Sequence, residues 1–227
     1  MDFGKAFSYV FDDSDWLKKV GLGGLIYLVP ILNFAAAGYS LEVAQRVIHD
    51  DPRPLPEWSD MGGKLVKGLL ISVIGLAYAL PLFLLSFLMW GGMVAAGGAV
   101  GIVSSSPRSD EAIGGVMMAV YACCGCLMLL YGLFAGLVLP AAIGNYAAKD
   151  QLSAAFHFRD VLTLVQKNLG TYLMVLVIEL AAAFAAGLAG SLLCGVGLYF
   201  TTFYALLVSH HAIGQAYRQA SAQIGLV

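Results

Sequence analysis

Long runs without a charged side chain constrain this chain more than any motif it carries. Residues 20–40, 68–107, 112–148 and 180–217 contain no Asp, Glu, Lys or Arg. A helix needs about 20 mainly apolar residues to cross the hydrocarbon of a bilayer. The last three runs are long enough for one crossing plus a loop or a second crossing. Their apolar character is continuous rather than alternating in segments of ~10 residues, so they suit helices and not a barrel. Composition agrees: charged residues make up 11% of the 227 positions, against about 25% in a soluble domain. The chain reads as an all-α integral membrane protein, multi-pass in the cell membrane.

Several function classes drop out. A net charge of −2 and a pI near 6.0 offer no basic face for nucleic acid. No hydrophilic stretch is long enough for a separate soluble domain, so residues 1–227 read as a single membrane domain. The first residues are acidic and aromatic, without the basic start and cleavage site of a removable signal peptide. Cys123, Cys124, Cys126 and Cys194 all sit inside apolar runs, which argues against a secreted disulfide framework. HExxH, GxSxG, P-loop and GxGxxG patterns are missing from the sequence, so neither enzyme activity nor a cofactor is expected.

Polar segments that precede the apolar runs resemble one another. Trp58-Ser-Asp60…Lys67-Gly68 matches Phe158-Arg-Asp160…Lys167-Asn168 without a gap, and Phe11-Asp-Asp13…Lys19-Val20 is a looser copy. Each offers an aromatic for the headgroup level, an Asp to cap a helix start, and a Lys to snorkel as the helix enters lipid. A Gly beside a Tyr closes the returning runs: Gly38-Tyr39, Gly144-Asn-Tyr146 and Gly214-Gln-Ala-Tyr217. The pattern predicts about three units of elbow plus helical hairpin. An interfacial amphipathic helix is expected over 1–16, with Phe3, Phe7, Val10 and Phe11 on one face. A first hairpin or span follows over 17–50, an elbow over 51–66, a second hairpin over 67–148, an elbow over 149–166 and a third hairpin over 167–221. Trp16, Trp58 and Phe158 on the elbows, and Tyr39, Tyr146 and Tyr217 at the exits, are the expected interfacial anchors.

Charge sidedness favours this scheme. With all elbows and both ends in the cytoplasm, Lys5, Lys18, Lys19, Arg46, Arg53, Lys64, Lys67, Lys149, Arg159, Lys167 and Arg218 lie inside, 11 of the 12 basic residues, leaving Arg108 outside. Were residues 20–39 one ordinary span, Lys5, Lys18 and Lys19 would move outside and the split would fall to 8 against 4. The expected architecture is therefore four full transmembrane helices plus an N-terminal broken helix or short hairpin, with five simple spans as the alternative. The hairpin would break at Pro30 to Asn33, with its turn shielded by other helices. A helix is expected over about 161–187, with a tight turn near 187–191.

Pro30-Ile-Leu-Asn33…Gly38-Tyr39, then Leu55-Pro-Glu-Trp-Ser-Asp60 and Lys67-Gly68, resemble a family of uncharacterised prokaryotic integral membrane proteins, a domain of unknown function. The resemblance implies a polytopic membrane protein, covers most of the chain and brings no catalytic residues with it.

Glu179 is the sharpest chemical candidate. It lies near the middle of an apolar helix, where a charge costs roughly 2.5–3.5 kcal/mol. Such a residue either couples to an ion or proton, or hydrogen-bonds a neighbouring helix. Asn33 and Asn145 join it as candidate intramembrane polar positions. Cys123, Cys124 and Cys126 lack a second ligand pair for a metal and suit helix packing instead. Adjacent His210 and His211 project about 100° apart on a helix and are poor joint ligands. Gly132 and Gly136 form GxxxG, and Ala182, Ala186, Gly190 and Cys194 recur at helical spacing; both patterns permit close helix approach within or between chains. Expected partners are membrane lipids, with a second copy or another membrane protein also open. The leading reading is a scaffold or assembly component, and the alternative is a small transporter or channel using Glu179.

Overall fold

A computed structural model describes residues 1–103, 107–192 and 195–225, with side chains described for 1–94, 114–192 and 195–225. The helices are α1 (Phe3–Ser8), α2 (Trp16–Leu28), α3 (Asn33–Ile48), α4 (Met61–Val103), α5 (Pro107–Lys149), α6 (Phe158–Lys167), α7 (Leu169–Leu192) and α8 (Gly197–Ile224), with 3-10 turns at Tyr9–Asp12 and Leu152–Phe156. No strand occurs among the described residues.

Three helices are long and apolar enough to cross a membrane, over Met61–Val94, Gly114–Lys149 and Leu169–Leu192. Their outward side chains are large and apolar: Phe83, Phe87 and Trp90 on α4, Leu129 and Leu133 on α5, Leu180 and Phe184 on α7 are all exposed. Surface of that kind belongs against lipid. α8, expected as a further full span, falls short of that apolar measure. Thr201, Thr202, Ser209, His210 and His211 dilute its sequence. Its apolar residues Phe203, Leu207, Val208, Ala212 and Ala216 instead fill the interior, where α8 packs against α7, α3 and α2.

Residues 20–39 form two helices rather than one. Val29 is extended, at φ −89 and ψ 121, because the residue before a proline is pushed out of the helical region. α2 therefore stops at Leu28 and α3 begins at Asn33. Against expectation the turn is not covered by the chain: Val29 is 42% and Ile31 71% exposed.

The elbows differ in local structure. Asp60 stands before α4 and accepts the Gly63 N–H at 2.9 Å, and the helix runs on unbroken through Lys67 and Gly68. The matching segment makes a helix of its own, α6, whose Val161, Leu164 and Val165 are buried. Asn168 then interrupts the chain: its Nδ2 donates to the Leu164 carbonyl at 3.2 Å and α7 starts only at Leu169. Side-chain competition for the backbone separates α6 from α7 at the place where Gly68 lets α4 continue. α7 continues to Leu192, past the turn expected near 187–191.

The chain divides into two units, residues 1–75 with 137–227, and residues 76–136. In the smaller unit, Tyr131 donates its hydroxyl to the Tyr78 carbonyl at 2.8 Å, joining α5 to α4. The larger unit holds the rest.

Candidate functional site

α3 and α4 meet through their backbones at two glycines. A Cβ at Gly38 would land on the Lys64 carbonyl oxygen, and one at Gly68 on the Phe34 carbonyl oxygen. This closeness lets Glu42 of α3 reach both lysines of α4, Lys64 at 2.8 Å and Lys67 at 3.1 Å. Lys64 is only 3% exposed, and its ammonium also lies 5.8 Å from the Tyr39 ring centre. Tyr39 donates to the Pro56 carbonyl at 2.8 Å and stacks on Trp58 with ring centres 4.3 Å apart. Trp58 in turn donates from Nε1 to the Lys19 carbonyl at 3.1 Å.

Lys19 closes the knot. Its ammonium meets Asp13 at 2.9 Å and Glu57 at 2.6 Å. Burial works to lower the Lys19 pKa, but the hydrogen bonds to Glu57 and Asp13 outweigh it and hold it above the usual lysine value. Burial likewise pushes Asp13 up, while the Lys19 ammonium and the Asp15 amide overcome it and leave the carboxyl below its ordinary value. Both groups therefore stay charged over a wide pH range.

The Lys19 end of this knot, with Asp13 and Glu57, forms one wall of a cavity of about 1380 Å³. The 1–19 segment, the loop over 50–57 and the end of α8 surround it. Further ion pairs line it: Lys5–Asp12 at 2.6 Å, Arg46–Asp51 at 3.9 Å and Arg218–Asp50. His211 contributes a ring that is 3% exposed, stacked on Tyr9 at 4.0 Å and bonded through Nδ1 to Gln215 at 3.1 Å. Asp50 takes the left-handed conformation, φ 58, and so ends α3 and turns the loop toward α8.

The residues singled out in the sequence are not gathered into one site. Glu179 lies half-buried on α7 and is no part of this cavity wall. Asn33 starts α3, with its Oδ1 buried and unpaired. Asn145 is fully buried and satisfied, its Nδ2 donating to the Ala154 carbonyl at 2.8 Å and its Oδ1 accepting from Tyr217 at 3.1 Å.

The exit tyrosines point into the protein interior: Tyr39, Tyr146 and Tyr217 are 0%, 1% and 2% exposed. Carbonyl and amide partners draw two of them in, because a buried hydroxyl needs a partner. Trp16 is half-buried, edge-on to Phe11 at 5.0 Å, and Phe158 is 56% exposed. Cys123 and Cys126 are exposed and Cys124 half-buried, and no metal-holding group of His, Cys, Asp and Glu occurs among the described residues. Ala182, Ala186 and Gly190 are buried on α7, where a Cβ at Gly190 would meet Leu198 of α8. Cys194 lies outside the described residues.

The ion pairs of the knot are not legible in the sequence because they join residues up to 38 positions apart, Lys19 to Glu57. The one available signal was that Gly38-Tyr39, Leu55-Pro-Glu-Trp-Ser-Asp60 and Lys67-Gly68 form the segment of family resemblance. In space those residues are the knot. No curated protein and no solved structure matches the chain. One family model does, from residue 22 in α2 to residue 195 just beyond α7, and so takes in the glycine contact, Tyr39, Trp58 and Glu179 together. The chain thus belongs to the family described as protein of unknown function DUF4013.

Proposed function

We propose that this protein is a scaffold or assembly component of the cell membrane, without enzymatic chemistry, and that its working surface is the charged cavity on the elbow side. The observation that carries this reading is where the polar architecture has been concentrated. α4, α5 and α7 turn large apolar side chains outward. The ion pairs and the stacked aromatics cluster instead around the elbow over 50–60 and the ends of α3 and α8. The elbows and both ends lie in the cytoplasm in this reading, supported by the 11 basic residues they carry out of 12.

We read the fold as three elbow-plus-hairpin units with α8 as the fourth span. Two observations support this. α3, α5 and α8 each give way to a left-handed residue, Asp50 (φ 58), Asp150 (φ 50) and Gly225 (φ 67). Each exit glycine also marks a tight contact: Gly38 with Lys64, Gly144 with Tyr217, Gly214 with Ala44 and Val47. The functional test is the mass of the complex released by mild detergent from native membranes. A scaffold gives a stoichiometric complex with another membrane protein, and a solitary chain would count against it.

Transport through Glu179 is the second reading, favoured by a half-buried carboxyl on a membrane-crossing helix. Glu179→Gln in reconstituted vesicles separates the two. Loss of an ion-dependent flux with the fold intact would replace the scaffold by a transporter.

A further inference from the structure

The α2–α3 hairpin enters the membrane and returns to the side it came from. Its two arms are tied together on the elbow side: Lys19, near the start of α2, pairs with Glu57, and its carbonyl accepts the Trp58 indole N–H. Leu28 lies nine residues beyond Lys19, and Asn33 nine residues before Glu42, so each arm descends about 14 Å. The hydrocarbon of a bilayer is about 30 Å thick, which puts the turn over 29–32 near its middle. The turn is short of hydrogen bonds. Val29 N–H reaches the Ile26 carbonyl, and Asn33 N–H the Val29 carbonyl. Among the described residues, the Ile31 and Leu32 amides have no acceptor, and the Tyr27 and Leu28 carbonyls have no donor.

Lipid tails cannot supply what is missing. Irregular backbone at this depth persists only where protein covers it or water reaches it. The side chains around the turn are apolar and exposed, Leu28, Val29 and Ile31 among them, which suits protein and not water. α2 continues the same surface. Leu17, Gly21, Leu25 and Leu28 share one face at helical spacing, and the three leucines are exposed. Gly23 and Gly24 of the same helix lie against the Phe203 and Phe200 rings of α8, whereas a Cβ at Gly21 would meet nothing within 4 Å. In lipid, helices associate through small residues that let their backbones approach. Gly21 offers that approach, and nothing in its own chain uses it.

We propose that two copies of the chain pair in the membrane, turn against turn, with the outer faces of α2 in contact. The partner is a second copy because the turn is self-complementary. It holds two unused donors and two unused acceptors, and a two-fold axis between a pair of turns presents the donors of each to the acceptors of the other. A single transmembrane helix offers no such match, since its backbone groups are already bonded within it. The pairing rests on the membrane reading above, with the elbows on one face, and is independent of any role of the charged cavity.

The test uses the full chain, its four native cysteines replaced by alanine, in phosphatidylcholine vesicles at low protein-to-lipid ratio. Ile31→Cys is expected to form a disulfide-linked dimer on mild oxidation, and Leu80→Cys, exposed on α4, to remain single. Energy transfer between donor- and acceptor-labelled copies reads the association independently as lipid dilutes them. Gly21→Leu fills the open position and should weaken pairing about tenfold or more. Gly75→Leu, at an open glycine of α4, should leave pairing unchanged. Thermal unfolding of each variant identifies one that has lost its fold, and the Ile31→Cys cross-link needs neither glycine variant. A chain that stays monomeric at every dilution overturns the proposal, as does pairing without the Ile31→Cys cross-link or pairing that a folded Gly21→Leu does not weaken. Reaction of Ile31→Cys with a membrane-impermeant maleimide places water at the turn and overturns it too. None of these outcomes touches the scaffold reading, which is judged on the mass of the native complex with another membrane protein.

Discussion

Gly38→Ala is the sharpest structural perturbation available. The added methyl group lands on the Lys64 carbonyl oxygen, which is backbone inside a helix and has no rotamer to yield. α3 and α4 must move apart, and relief is not local because Gly68→Ala makes the reciprocal clash with the Phe34 carbonyl. Overpacking a tight contact costs about 1–3 kcal/mol. Separation also lengthens the Glu42 pairs with Lys64 and Lys67, now 2.8 and 3.1 Å, and Lys64 is 3% exposed, so its weakened pairing adds about 1–2 kcal/mol. Alanine returns about 0.5–1 kcal/mol in helix propensity. The net expectation is a loss of about 2–4 kcal/mol from either substitution. The double variant should cost less than the sum, because both methyl groups push the same helices apart. Gly75→Ala is the internal control, two turns further along α4, where a Cβ meets nothing within 4 Å. It should be neutral or stabilising by up to about 1 kcal/mol. Equilibrium unfolding of the full chain in lipid bicelles measures all four variants. If Gly38→Ala and Gly68→Ala are as mild as Gly75→Ala, the backbone contact does not exist.

Four further outcomes are expected. Tyr39→Phe strands the Pro56 carbonyl in a buried position and should cost about 1 kcal/mol by the same unfolding measurement. Tyr217→Phe, which removes the hydrogen bond to the buried Asn145 Oδ1, should cost a similar amount. The Lys19–Asp13 pair gives a pH signature. Asp13 is held below its ordinary pKa, so its contribution is present above about pH 4 and is lost as pH falls through the native value. Lys19 is held above its own, so its contribution is present below about pH 10 and is lost as pH rises through the native value. The contribution of this pair should therefore be constant between those limits, and the stability difference between wild type and the less stable Lys19→Met should stay level across that plateau. Glu179→Gln, which keeps shape and a donor, should alter stability by no more than about 1–2 kcal/mol.

Much of the fold was legible in the sequence because it follows from local chemistry. Uncharged runs marked the helices that face lipid, Pro30 marked the break between α2 and α3, and Asp60 marked the start of α4. What local patterns miss is which way a side chain turns. Tyr39 and Trp58 carry the composition of headgroup anchors, yet their polar atoms find the Pro56 and Lys19 carbonyls and stack between helices. Asn168 and Gly68 occupy matching places, and one ends a helix while the other holds two helices together. α8 was expected as a full span from its uncharged run, but its buried apolar residues face α7, α3 and α2. The cavity was invisible for a related reason: its acids and bases come from segments that only the folded chain brings together.

A working surface on the elbow side meets cytoplasmic partners only when the elbows lie on the cytoplasmic face of the membrane. Substituted-cysteine labelling reads this directly, with the four native cysteines first replaced by alanine and Asp15→Cys placed on the cavity rim. A membrane-impermeant maleimide should modify Asp15→Cys only after the cells are permeabilised, while Arg108→Cys should react in intact cells. Labelling of Asp15→Cys in intact cells would put the cavity outside and contradict a cytoplasmic docking surface.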